Sequence, residues 1–130
     1  MRKLIVLAVI GVAALALVVA PAASARDDDD REVIKRGTCS GSSTWKLKLK
    51  FDDGRIETEF EVDQNRIGKR WRVVLRRNGV VRFRGIRTTR APSGSFEVER
   101  HLRNGAGRDR IVGRARALAT GEICRGVATI

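Results

Sequence analysis

The chain has 130 residues, of which 27 are Lys or Arg, 15 are Asp or Glu and one is His, for a formal net charge of +12. This length allows one domain. One histidine and two cysteines do not provide the ligand spacing of the usual zinc sites, so no zinc centre is predicted.

The N-terminal residues have the pattern of a secretory signal peptide. Met1-Arg2-Lys3 is cationic, Leu4 to Ala20 is an apolar run, and Ala23-Ser24-Ala25 has the small-x-small form that signal peptidase accepts. A membrane anchor is the alternative, since 17 apolar residues (4 to 20) reach the lower end of the spanning range. Pro21 and the cleavage pattern favour removal. Residues 1–25 are therefore predicted to be a signal peptide, and the mature protein is expected to be secreted, extracellular or envelope-associated, without a membrane segment.

The mature chain keeps a strong basic excess. Without Arg2 and Lys3 it has 25 basic and 15 acidic residues, which gives +10. Its two cysteines, Cys39 and Cys124, form an even set in an oxidising compartment, and we expect one disulfide between them.

Residues 26–36 are predicted to be an acidic, polar leader that precedes a domain at 37–130. The leader contains the run Asp27 to Asp30 and is expected to be a solvated tether. A calcium site is disfavoured because the run lacks the spaced ligands and the turn glycine of such loops.

Two alternating segments predict a β-hairpin. Trp45 to Phe51 places apolar residues on odd positions and Lys on even ones, and Arg55 to Asp63 alternates apolar or Thr residues with acids. Asp53-Gly54 suits a two-residue turn. The resulting register makes every facing pair apolar or oppositely charged: Phe51–Ile56, Lys50–Glu57, Lys48–Glu59, Lys46–Glu61 and Trp45–Val62.

Five further strands follow by the same alternation, at Arg70–Arg76, Val80–Arg87, Ser95–Arg103, Asp109–Ala119 and Glu122–Thr129. The turn at Asn78-Gly79 allows two registers. A two-residue turn sets Leu75 opposite Arg82, whereas a three-residue loop pairs Leu75 with Val81 and Val73 with Phe83. We expect the three-residue loop because it keeps each face uniform.

Seven short strands at about ten-residue spacing predict an all-β fold, a single antiparallel β-sandwich. From Cys39 to Ile130 the arrangement resembles an immunoglobulin-like or fibronectin-III-like sandwich, of the kind seen in small secreted proteins of high-GC bacteria. It departs from the antibody pattern because Cys39 precedes the first predicted strand and the chain contains no Tyr for a tyrosine corner. The resemblance implies that the third and sixth predicted strands are neighbours.

No acidic residue occurs from Gln64 to Phe96, although this stretch is rich in arginine. Alternation directs four arginines of the third and fourth predicted strands away from the core. If the sixth predicted strand lies beside the third, as the resemblance implies, it adds two more outward arginines. The predicted anion-binding face consists of Arg72, Arg76, Arg82, Arg84, Arg114 and Arg116. The other sheet is expected to carry a balanced Lys/Glu face.

No catalytic, metal or cofactor set is predicted. The single histidine, His101, falls on a solvent-facing position, and the facing lysines account for the glutamates of Arg55–Asp63. We expect a non-enzymatic binding module for anionic envelope polymers or an acidic protein. Nucleic acid is disfavoured as the specific target because Trp71 and Phe83 should point inward.

Two alternatives stay open. A secreted inhibitor or effector directed at a protein would use an exposed loop such as Thr88–Gly94. In the second alternative, the arginines are abundant because the genome is rich in GC, and they serve only to keep the protein soluble.

Overall fold

The computed structural model describes residues 16–19 and 31–130. Most of the predicted signal peptide, its cleavage site and the leader's run of aspartates lie outside these residues. Within them no helix is long and apolar enough to cross a membrane. The same residues form eight strands: β1 (Glu32–Thr38), β2 (Thr44–Asp52), β3 (Arg55–Asp63), β4 (Arg70–Arg77), β5 (Val80–Thr88), β6 (Ser95–Arg103), β7 (Arg110–Ala117) and β8 (Ile123–Thr129).

The strands form two four-stranded antiparallel sheets, which confirms the predicted all-β sandwich. The first sheet has the order β1-β2-β3-β6 and the second has the order β5-β4-β7-β8. The third and sixth predicted strands, now β4 and β7, are neighbours as expected. The apolar faces of both sheets meet in one core, in which Phe60, Trp71 and Leu75 are fully buried.

The β2–β3 hairpin has the predicted register throughout, from Phe51 opposite Ile56 to Trp45 opposite Val62. Its two turn residues, Asp53 and Gly54, have φ values of 53° and 74°. Positive φ at both central positions is the conformation that matches the twist of paired strands. Local turn chemistry and side-chain pairing therefore specify the same register.

The predicted register of the β4–β5 hairpin is wrong. Asn78 and Gly79 form a two-residue turn with φ values of 48° and 82°, and a β-bulge follows. Leu75 faces Phe83 instead of Val81, and Val73 faces Gly85 instead of Phe83. The bulge leaves one residue of β5 without a partner, and this restores uniform faces without a longer loop.

Strand β1 was not predicted. It occupies Glu32–Thr38, across the expected boundary between leader and domain, and pairs along its whole length with β2. Its alternation is weak because Lys35 lies opposite buried Leu47, a register that apolar residues usually occupy. The sandwich therefore has eight strands within the described residues rather than about seven.

One lateral side of the sandwich is closed by β1 and β8, which are edge strands of different sheets. The disulfide between Cys39 and Cys124 is present as predicted and joins the β1–β2 connection to β8. The Trp45 indole also fills this side, because a Cβ at Gly37 or Gly126 would lie within 2.7 Å of its ring. A side chain larger than hydrogen at either glycine would displace the indole.

Candidate anion-binding face

The outer surface of the second sheet presents exposed arginines from all four of its strands. Strict alternation puts Ala115, Ala117 and Trp71 into the core, so the intervening residues of β4 and β7 point to solvent. We call this surface the arginine face, and it consists of Arg72, Arg84, Arg114, Arg116 and Arg125. Four of these five residues were predicted from the sequence.

Cross-strand pairing places like charges directly opposite one another. Arg72 faces Arg116 across β4 and β7, and Arg114 faces Arg125 across β7 and β8. Neighbouring strands lie about 4.8 Å apart, and alternate residues along a strand are about 6.7 Å apart, so the charges form a dense array. Like charges directly opposite each other destabilise a sheet. Among the described residues, no carboxylate oxygen lies within 4.0 Å of these guanidinium groups.

Two of the predicted face residues are placed differently. Arg76 faces Val112 in the same sheet but is only half exposed. Arg82 is the unpaired residue of the β-bulge, and it lines a recess beside β6 together with Arg103. The bulge, which the sequence analysis missed, therefore moves Arg82 from the face to the lateral side of the sandwich.

Arg125 was missed although the sequence contains its signal. Cys124 must point inward to form the disulfide, so alternation directs the next residue outward.

By contrast, Arg77 is withdrawn from solvent at the far end of β4. Its Nε lies 3.5 Å from the Oδ1 of buried Asp109, and its Nη1 donates to the Arg103 carbonyl.

Aliphatic rather than aromatic residues fill the spaces between the arginines. Val74, Ile86, Val112, Ile123 and Val127 occupy outward registers of the four strands and are partly or largely covered. Because these side chains are aliphatic, the face offers closely spaced cations without an aromatic stacking platform. Such a surface suits a ligand recognised by its charges rather than by aromatic rings.

The outer surface of the first sheet was predicted to have a balanced mixture of Lys and Glu. In the structure its glutamates are concentrated on β3 and β6. Strand β6 pairs with β3 and puts Glu99 opposite Glu59 and Glu97 opposite Glu61. The Lys48 Nζ lies 3.9 Å from Glu59 Oε2 and 3.8 Å from Glu32 Oε2. Partial burial raises the pKa of Glu59, and the nearby Glu97 and Glu57 raise it further, against the opposing effect of Lys48.

Three carboxylate groups on the outer surface of the first sheet lie close enough together to be considered as ligands of one metal ion. Oxygens of Glu57, Glu59 and Glu99 lie within 4.8 Å of one another. The Lys48 ammonium group already supplies a counter-charge to this cluster. His101 Nε2 lies 3.5 Å from Glu99 Oε1, with both side chains about half exposed. This arrangement is that of a solvated charged surface.

The fold and the charge layout define a class of protein: a small antiparallel β-sandwich with an arginine-rich outer face on one sheet and a glutamate-rich region on the other. Comparisons with protein-family models, with curated proteins and with solved structures found no match.

Proposed function

We propose that this protein is an exported, non-enzymatic binding module whose arginine face binds anionic polymers of the cell envelope or an acidic protein partner. The observation that carries the proposal is the pairing of Arg72 with Arg116 and of Arg114 with Arg125, without a carboxylate within 4.0 Å among the described residues. An anionic ligand would relieve this repulsion, whereas solubility alone does not require the charges to be adjacent.

Guanidinium groups suit this role because each presents several N–H donors in a fixed plane and stays charged at all physiological pH values. The regular strand spacing repeats these donors over four adjacent strands. Binding of a polyanion would release its condensed counterions, so the affinity would depend steeply on salt concentration.

Export and an immunoglobulin-like or fibronectin-III-like architecture are parts of the same proposal. The signal-peptide pattern of residues 1–25 supports export, and a disulfide is typical of proteins in oxidising compartments. The strand order β5-β4-β7-β8 in one sheet, with β2, β3 and β6 in the other, supports the architecture.

The test removes two charges from either surface and compares the effects. Arg114→Gln/Arg116→Gln alters the centre of the arginine face, and Lys46→Gln/Lys50→Gln removes the same charge from the first sheet without touching Lys48, which is paired with Glu32 and Glu59. Affinity for inorganic polyphosphate is measured at several salt concentrations. We expect the arginine variant to reduce the slope of log affinity against log salt by about 1.5. Equal effects of the two variants would show that bulk charge, and not the arginine face, is responsible.

A second candidate function is that of a secreted inhibitor or effector that contacts another protein through Thr88–Gly94. The tip of this loop, from Arg90 to Ser93, is exposed, whereas Thr89 is buried and donates its backbone N–H to Lys69. A firmly anchored loop with an exposed tip favours protein recognition. A stoichiometric protein complex that survives high salt and is lost on replacement of the tip residues would support this function.

A further inference from the structure

The lateral side opposite the disulfide is formed by β5 and β6, which are edge strands of different sheets. The disulfide of the described residues lies on the other side, and a surface recess lies here between Ile86 and Thr88 of β5 and Ser95 and Glu97 of β6. We call the gap between these two strands the side groove. It adjoins the arginine face along β5, with Ile86 at the border.

Phe83 of β5 is half-buried beside the side groove and is contacted by a cation from each sheet. The Arg87 Cζ lies 5.0 Å from the centre of the Phe83 ring, and the Arg100 Cζ lies 4.3 Å from the same point. Because both distances share one centre, the two guanidinium groups are at most about 9.3 Å apart. Arg87 faces Trp71 and Arg100 faces Thr58, so both occupy core-facing registers at a strand edge.

Backbone carbonyls hold the two guanidinium groups in place. Arg87 Nη1 donates to the Ile86 carbonyl at 3.0 Å, and Arg100 Nη1 donates to the Glu99 carbonyl at 2.8 Å. In the part of the chain that the structure describes, neither group has a carboxylate oxygen within 4.0 Å. Each therefore keeps N–H donors for a ligand, in an orientation fixed by the ring and by a main-chain hydrogen bond.

Further arginines extend the positive charge along the groove. Arg90 lines the recess at one end, and Arg82 and Arg103 line a second recess at the other end. Strand β5 has nine residues, so it extends for about 30 Å along this side. Glu61 and Glu97 border the first recess on the side of the first sheet, so the charge is most positive from Arg87 to Arg103.

We propose that the side groove binds a single linear phosphate-bearing chain along its length, with Arg87 and Arg100 contacting one phosphate group from opposite sheets. A phosphate group offers more acceptor oxygens than a carboxylate, so it can accept from two guanidinium groups without their sharing an oxygen. The groove lies between two single edge strands, so its arginines form one row that a single extended chain can follow.

The experiment measures the binding of inorganic polyphosphate to the folded mature protein by isothermal titration calorimetry. Arg87→Gln/Arg100→Gln removes two charges from the groove, while Lys46→Gln/Lys50→Gln is the charge-matched control. We expect the groove variant to lose affinity about tenfold and the lysine variant to lose less than about twofold. Phe83→Leu keeps all charges but removes the ring that orients both arginines, and it should weaken binding severalfold. Circular dichroism and thermal unfolding check that each variant is folded.

The comparison with Arg114→Gln/Arg116→Gln separates this proposal from the proposed function. Loss of binding in the groove variant alone supports the side groove and contradicts the arginine face as the binding surface. Loss of binding in Arg114→Gln/Arg116→Gln alone overturns the side-groove proposal. Loss of binding in both variants supports both surfaces as binding sites. If neither variant differs from the lysine control, both proposals fail. Poly-glutamate serves as the carboxylate probe, and an equal tenfold loss with it would overturn the assignment to phosphate.

Discussion

Removal of the Cys39–Cys124 disulfide should destabilise the domain mainly through the unfolded chain. The bond joins residues separated by 85 positions, and closure of such a loop corresponds to about 4–5 kcal/mol in the chain-entropy description. Other contacts hold the same junction in the folded state. Ser40 N donates to the Ile123 carbonyl at 2.8 Å, and Ser43 Oγ donates to Glu122 Oε1 at 2.6 Å. The native sheets should therefore persist without the bond.

The assay compares urea unfolding of the oxidised protein, the reduced protein and the Cys39→Ala/Cys124→Ala variant. In both forms without the bond, the free energy of unfolding should fall by about 4 kcal/mol. For a domain of this size, such a fall lowers the melting temperature by more than about 15 °C. Their m values should rise, because an uncrosslinked unfolded chain exposes more surface to urea. A loss below about 1 kcal/mol, or an unchanged m value, would refute the assignment of the effect to the unfolded chain.

Two further predictions concern the sheet interiors and the acidic surface. Gly113→Ala would place a Cβ 2.8 Å from the ring of fully buried Phe60 and should cost about 1–3 kcal/mol of stability in chemical denaturation, whereas adding Phe60→Leu should recover part of that loss. Because the pKa of Glu59 is raised in the folded state, ionisation of this carboxyl lowers stability as pH rises from the ordinary carboxyl range through the folded pKa. Glu59→Gln should therefore be more stable than the wild type at about pH 7 but not at about pH 3, and a pH-independent difference would contradict this cause.

The parts of the fold that were predictable are those in which local rules agree. In the β2–β3 hairpin, turn residues, alternation and opposite charges all require one register. The β4–β5 hairpin gives conflicting signals, since its two-residue turn would set Leu75 opposite Arg82. The structure resolves this conflict with a bulge, which depends on tertiary packing and has no reliable local signature. Strand β1 was missed because Lys35 interrupts its alternation.

The candidate site was predictable in its composition but not in its full extent. Alternation and the expected pairing of β4 with β7 identified Arg72, Arg114 and Arg116. The side groove was not identified, because Phe83 was expected to be an ordinary core residue. Its contacts with Arg87 and Arg100 arise from strands of different sheets, and the proximity of two edge strands cannot be read from either segment alone.

The core-facing cations at the strand edges also affect how copies of this protein meet. A free edge strand presents unpaired N–H and C=O groups on which a foreign strand can pair, and inward-pointing charges and bulges oppose such pairing. Arg100 on β6, Lys35 on β1 and the bulge at Arg82 on β5 are devices of this kind. Addition of a strand from another copy at β1 or β6 would require Lys35 or Arg100 to lose water without gaining a partner. These features therefore disfavour the addition of a foreign strand at β1, β5 and β6.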